Sequence, residues 1–329
     1  MATTKLISLK FMLKQISLRI VKIKYSGKSV GDDVRLELSC LDKFLVLDQK
    51  IKKGEEKVIN GEIGKFYSEQ SRQDFQINIK IVEKDLVFNH FGDTLAKLKV
   101  DLNSPGSQIT SYEVVVRERR GLKIGRSEGV FSVTVEALAE PAILYIPETE
   151  DGWLLVKDKN SVEKSLPSHL RVRHDRIFFG REYVTVLEGV LQGDEFSIAL
   201  ENGRSRLSRI NSHVSVINLR YSISKKTLKL KNKTYKATDD PNKPWAPGRY
   251  DIEIPDHAHQ LGLKYVADSK NAITWFRVGH GGKKYLHTGA VSEGCITIIE
   301  TKKWDEIYRH LIKSRRGDGQ SVGTIEIVK

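Results

Sequence analysis

The chain has 329 residues, 39% of them hydrophobic, with 55 Lys+Arg against 42 Asp+Glu and a formal net charge of +13. That length exceeds one ordinary core and predicts two or three domains, and the composition is that of a globular protein with ample apolar residues. No run approaches the roughly 18 apolar residues of a membrane-spanning helix, and two cysteines, Cys40 and Cys295, exclude a disulfide scaffold.

The first 25 residues carry short apolar pieces, Leu6–Leu9 and Phe11–Leu13, broken by Lys10 and Lys14. They lack the continuous apolar core and small-residue cleavage site of a secretory signal, so the ordinary secretory route is not expected. From about 16 to 140 the chain reads as short strands, among them Leu18–Lys24, Asp33–Leu38, Phe75–Val82, Tyr112–Arg117 and Val130–Glu136. Most alternate apolar and polar residues, and turn-rich pieces such as Ser26–Gly31 and Asn103–Gly106 separate them. Evenly spaced short strands predict a β-sandwich. Cys40, closing the run from Val34, reads as a small apolar strand residue.

Within this region Ile81–Asp93 and the following Leu95–Leu102 resemble the second half of a C2-type sandwich. Calcium-binding members place several aspartates in these loops, because a hard cation needs about six to eight oxygens. This chain offers Asp85 and Asp93, with His90 near where a further aspartate is expected. The resemblance implies an interaction or delivery module over residues 1–140, with contact to a membrane surface as one expectation and calcium-dependent lipid binding the minor one.

Residues 141–215 are expected to form a β-rich connecting segment or small subdomain, with strands near Ala142–Ile146, Trp153–Val156, Arg176–Phe179 and Tyr183–Leu187. His169, His174 and His213 have no metal-ligand spacing and read as packing or surface residues. The lysines of the whole chain are spread thinly. Basic runs such as Arg117–Arg120, Lys225-Lys226 and Arg315-Arg316 read as solvated surface or a polyanion-facing face. Without interleaved aromatics, no nucleic-acid partner is expected.

The C-terminal domain, 216–329, opens with alternating runs Asn218–Ser224 and Thr227–Lys231, a predicted hairpin that Asn232–Ala237 extends. A loop rich in proline and aspartate, Asp239–Gly248, leads to Arg249–Pro255, and Thr274–Gly279 is a further strand. Trp304, Ile307, Tyr308 and Leu311 follow helical spacing, and Val322–Val328 is the last strand. The predicted fold class is therefore mainly β, with one helix.

Between the strand Thr274–Gly279 and the helix lies Tyr285-Leu-His-Thr-Gly-Ala-Val-Ser-Glu-Gly-Cys-Ile-Thr-Ile298. Cysteine catalysis needs the thiolate, so the spacing offers His287 as base to Cys295, in a loop where Gly294 permits close backbone approach to an oxyanion. A thiol of lowered pKa is expected. Acyl transfer through a thioester suits these residues better than a metal site. A zinc site drawing on His257, His259, His280, His287 and Cys295 is a minor alternative, and an inert buried cysteine is another. No metal and no cofactor are expected.

Three pieces in order, the strand Trp275–Val278, His287-Thr-Gly289 and Ser292-Glu-Gly-Cys-Ile296, resemble the L,D-transpeptidase catalytic domain, the YkuD-like fold. Pro247-Gly248-x-Tyr250 resembles the family's upstream turn. The resemblance covers about residues 216–329. It implies Cys295 as nucleophile and His287 as base, with the Gly294 and Cys295 amides binding the oxyanion and Ser292 ordering the loop. It also implies substrate contacts from Trp275, Arg277, His280, Tyr285 and Gly289. His280-Gly281-Gly282 offers a second form of the histidine motif, so the base stays open between His287 and His280, with His287 preferred. Three departures mark the chain: Glu293 where the family has a second histidine, Thr297 where it has arginine, and a short interval between His-x-Gly and the serine. They bear on substrate recognition rather than on the nucleophile.

The implied activity is cysteine-dependent acyl transfer on peptidoglycan stem peptides, as transpeptidase, carboxypeptidase or D-amino-acid exchange enzyme. A non-catalytic wall- or partner-binding protein is the rival expectation. The substrate lies outside the bacterial inner membrane. The expectation is therefore a protein made in the cytoplasm and exported as an antibacterial effector to the periplasm, with a secretion-system component as partner.

Overall fold

A computed structural model describes residues 12–28, 30–84, 90–104, 106–117 and 128–329. Leu6–Leu9, Asp85 and Glu118–Arg120 lie outside the described residues. The protein is mainly β and divides into two compact units, Phe11–Ala142 and, within the described residues, Ile143–Lys329. No helix among the described residues is long and apolar enough to cross a membrane.

The first unit holds β1 (Lys14–Gly27), β2 (Asp33–Cys40), β3 (Lys43–Lys50), β4 (Glu56–Ser68), β5 (Arg72–Glu83), β6 (His90–Asp101), β7 (Ser107–Arg117) and β8 (Glu128–Pro141). They form two four-stranded antiparallel sheets, ordered β4-β1-β8-β7 and β3-β2-β5-β6. The period-two pattern explains the core: Ile16, Leu18 and Ile20 of one sheet share a single cluster with Leu36, Leu38 and Ile79 of the other. Each such side chain contributes roughly 1.5–3 kcal/mol on burial. Cys40 ends β2 inside this core, and burial raises its thiol to about 11. It is an apolar filler there.

The second unit begins with β9 (Ile143–Tyr145), β10 (Trp153–Asp158), β11 (Glu163–Pro167), β12 (Arg171–Phe178), β13 (Arg181–Val186) and β14 (Glu195–Ala199). These make a six-stranded sheet, β11-β10-β14-β13-β12-β9. Then follow β15 (Ile217–Ser222), β16 (Thr227–Leu230), β17 (Lys233–Thr238), β18 (Gly248–Glu253), β19 (Phe276–Arg277), β20 (Tyr285–Thr288), β21 (Ile296–Ile298), α1 (Trp304–Ile312) and β22 (Ser321–Val328). They form an eight-stranded sheet, β18-β22-β15-β16-β17-β21-β20-β19. An Ile252–Val278 bridge joins its two edges, so the sheet is nearly closed.

The two sheets of this unit are tied by buried polar contacts. Trp153 Nε1 donates to Thr274 Oγ1 at 2.8 Å, and the Arg315 guanidinium donates to Glu188 Oε1 at 2.8 and 3.0 Å and to the His169 carbonyl at 3.1 Å. Residues 143–215 therefore share one compact unit with the C-terminal sheet.

α1 buries Trp304, Ile307, Tyr308 and Leu311, and its acidic first turn and basic last turn complement the helix dipole. Asp305 in that first turn accepts from Ser269 Oγ at 2.5 Å and from the amide of Asn271 at 3.1 Å, while Trp304 Nε1 donates to the Asn271 carbonyl at 3.0 Å. The helix thus fixes the segment that leads into Trp275.

Candidate active site

β20 and β21 run parallel, with Leu286 opposite Ile296 and His287 opposite Thr297. Because side chains alternate, Tyr285 and His287 of β20 share a face with Thr297 of β21 and with Cys295, the residue just before it. Cys295 and His287 both line one cavity of about 310 Å3, together with Trp275, Tyr285, Gly289 and Glu293. Its remaining wall includes Lys264 and Tyr265, from the helical turn Gln260–Tyr265, and Lys283. The Tyr265 hydroxyl accepts from the Ala290 amide at 3.0 Å, which ties that turn to the cysteine loop.

His287 is 7% exposed. Its Nδ1 lies 2.8 Å from the Thr288 carbonyl, which can only accept, so Nδ1 carries the proton and Nε2 is the bare base. Thr297 Oγ1 sits 3.2 Å from that Nε2 and donates to it. Trp275 stacks on the imidazole at 4.0 Å and 17°. Burial pushes the imidazole down to about 4, against the raising effect of its carbonyl partner, so His287 is neutral at physiological pH.

Cys295 accepts the Tyr285 amide at its sulfur, at 3.3 Å. Burial nevertheless raises the thiol above its ordinary range. The Tyr285 N–H and the charges of Lys284 and Lys243 oppose that rise, while Glu293 adds to it. This corrects the expectation of a thiol with a lowered pKa: the resting pair is neutral thiol and neutral imidazole.

Ser292 closes the loop on itself. Its hydroxyl donates to the Cys295 carbonyl at 2.7 Å and accepts from the Gly294 amide at 3.2 Å. Gly294 has φ +116°, a conformation that side chains rarely adopt, which is why glycine precedes the cysteine. Its amide is committed to Ser292, which corrects the expectation that it would bind the oxyanion. Lys243 Nζ donates to the Glu293 carbonyl at 3.3 Å, holding the loop from outside.

The other expected contacts divide. Trp275, Tyr285 and Gly289 line the cavity; Arg277 and His280 do not. Arg277 is drawn away into a buried cluster, its guanidinium on Asp256, within 3.5 Å of Glu253 and within 3.3 Å of the Tyr285 hydroxyl. His280 binds Glu253 Oε1 at 2.7 Å through Nδ1 and Asp251 Oδ2 at 3.2 Å through Nε2. Each ring nitrogen faces a carboxylate oxygen, which can only accept, so neither is turned toward Cys295 as a base; the same carboxylates raise its pKa, Glu253 foremost. His287 alone of the two stands with Cys295.

Two neighbours had no role in the expected acyl-transfer site. His259 stacks on the far face of Trp275 at 4.4 Å and 7°, a contact made because Ala258 bridges Thr274. Thr297 stood out only as a departure from a motif. Its position two residues after Cys295 in an extended segment was the signal that it would share the face of His287.

No family model matches the chain, and no curated protein matches it. Among solved structures, human GIVD cytosolic phospholipase A2 with methyl gamma-linolenyl fluorophosphonate and terbium chloride matches at 11% identity and TM-score 0.23, over 57% of this chain and 32% of that one. The same enzyme alone matches at 13% identity and TM-score 0.22, over 57% and 30%, and with methyl gamma-linolenyl fluorophosphonate at 11% and 0.24, over 79% and 36%. The matches thus span about a third of the length of those phospholipases, and likeness at such scores carries no argument about this chain.

Proposed function

We propose that the chain is a cysteine acyltransferase acting on peptidoglycan stem peptides, in the manner of the L,D-transpeptidases that residues 216–329 resemble. The observation that carries this reading is that His287, on β20, and Cys295, immediately before the parallel strand β21, line one cavity, with the tautomer of His287 fixed by Thr288. The base is oriented by a third group, as activated nucleophiles require.

In this reading His287 Nε2 takes the thiol proton as Cys295 Sγ attacks the carbonyl carbon of the penultimate residue. The carbonyl electrons move onto oxygen, where the Cys295 amide is the loop donor left for the oxyanion. Collapse expels the terminal D-amino acid, whose amine takes the proton from His287, and leaves a thioester on Cys295. An acceptor amine then gives a crosslink, water gives carboxypeptidase activity and a free D-amino acid gives exchange. The site's place in an exported antibacterial effector belongs to the same proposal, with the N-terminal sandwich as docking or delivery module.

Incubation of the full chain with purified muropeptides, followed by mass spectrometry, tests it. Loss of a terminal D-alanine, a dimer mass or an exchanged residue is expected, each absent with Cys295→Ala. Identical spectra from both proteins would overturn it. A second reading, a non-catalytic binder that keeps the site, draws on the Thr297 hydroxyl already seated on Nε2. It predicts muropeptide retention without any change of mass.

A further inference from the structure

On the other face of Trp275 from His287, the segment Asp256-His-Ala-His259 gathers two imidazoles and a carboxylate. Ala258 is bridged to Thr274, the His259 amide donates to the Ile273 carbonyl at 2.8 Å, and the His257 and His259 rings lie 4.1 Å apart, so the two imidazoles share one side. Asp256 Oδ1 lies 3.2 Å from His257 Nδ1 and 3.4 Å from His259 Nε2, and one donor atom from each residue lies within 4.8 Å of the others. Donors held about 2.0–2.1 Å from a tetrahedral metal lie about 3.3–3.4 Å apart, so the carboxylate-to-imidazole spacings are those of a ligand set.

We infer that Asp256, His257 and His259 bind a divalent transition metal of the zinc class. Three features beyond spacing support this. The second carboxylate oxygen, Oδ2, is held by Arg277 and by the Tyr285 hydroxyl at 3.2 Å, and Oδ1, which also accepts from the His257 amide at 2.9 Å, faces the two imidazoles, as outer partners orient ligating carboxylates. Asp256 and His257 border a second cavity, of about 570 Å3, so a fourth coordination position opens onto space for water or a ligand. That cavity carries five carboxylates, including Asp158, Glu163, Asp194 and Glu195, against two lysines, although the chain as a whole has a net charge of +13. The site is separate from the acyl-transfer proposal and stands without it. It departs from the expectation of no metal, and it leaves out Cys295, His280 and His287.

The full chain, stripped of metal with a chelator, is titrated with Zn2+ by calorimetry and with Co2+ by visible absorption. One equivalent is expected, with the d–d bands of tetrahedral cobalt and no thiolate charge-transfer band. His257→Ala, whose side chain is largely exposed, weakens binding by more than about tenfold without changing the circular dichroism, and His259→Ala does likewise. Cys295→Ala and His287→Ala bind as the parent does. Binding unchanged in the His257/His259 double variant, binding lost with Cys295→Ala, or no stoichiometric binding by the parent would each overturn the assignment. The last outcome would leave the two histidines as hydrogen-bonding neighbours of Asp256.

Discussion

Thr297 Oγ1 donates to His287 Nε2 across 3.2 Å, so the nitrogen assigned to proton transfer is already hydrogen-bonded at rest. A thiol that is to hand its proton to His287 must displace this hydroxyl. Thr297→Val keeps the shape and removes the competing donor, whose net worth is about 1 kcal/mol. Alkylation of Cys295 by iodoacetamide is expected to accelerate about fivefold at pH 7. A rate equal to or below that of the parent would show that the hydroxyl does not compete.

The thiol itself is predicted to titrate late. Burial holds Cys295 above the ordinary range, so the midpoint of its alkylation rate against pH falls above that of an ordinary exposed cysteine. His287→Ala leaves that midpoint high, because the resting state contains no imidazolium to depress it. A midpoint below pH 7 that depends on His287 would mean a thiolate–imidazolium pair instead.

Gly294→Ala introduces a side chain at φ +116°, with its Cβ about 3.3 Å from Lys243 Cδ. The strain costs on the order of 1–3 kcal/mol. Because the loop carries Cys295, muropeptide turnover is expected to fall more than tenfold while Tm drops by only a few degrees. Full turnover in a folded Gly294→Ala protein would remove the loop from the argument.

Acid is predicted to weaken the second unit. Burial lowers His169, His174 and His287 each to about 4, against about 6.5 when unfolded. Between those values the unfolded chain binds more protons, so stability rises with pH: it is fully present above about 6.5 and is lost as pH falls toward 4. Each group contributes up to roughly 3 kcal/mol. Urea unfolding followed at pH 7 and pH 4.5 should show a lower midpoint at pH 4.5, and equal midpoints would contradict the burial of these rings.

The sequence made the regular strands visible where one face is dry, as in Val34, Leu36 and Leu38 of β2, and it located α1 from four apolar positions. It missed β4, whose pairing with β1 is interrupted between Leu18 and Arg19 and between Ile20 and Lys22, and in which Asn60 sits at φ +52°. Such irregularities break the alternation that pattern reading depends on. It missed β3 as well. Phe44 and Val46 of that edge strand face out, so the run Phe44–Leu47 carries no polar face. In the site, the neighbours within one strand pair were legible. What set His280 apart from His287 was not, since Asp251 and Glu253 lie 29 and 27 residues upstream of it.

β20 and β21 are parallel, yet only residues 289–295 connect them, where a parallel crossover ordinarily takes a dozen or more. The strands are short enough, four and three residues, for so tight a return. Leu286 meets Ile296 ten positions on, whereas the other neighbour of β21 pairs Ala237 with Ile298, 61 positions away. Loops of about ten residues close in roughly 10–100 ns, and the entropy of closure grows with length. During synthesis, then, the register of Cys295 against His287 can be set as soon as residue 298 is available, with β17 docking onto a pair already formed.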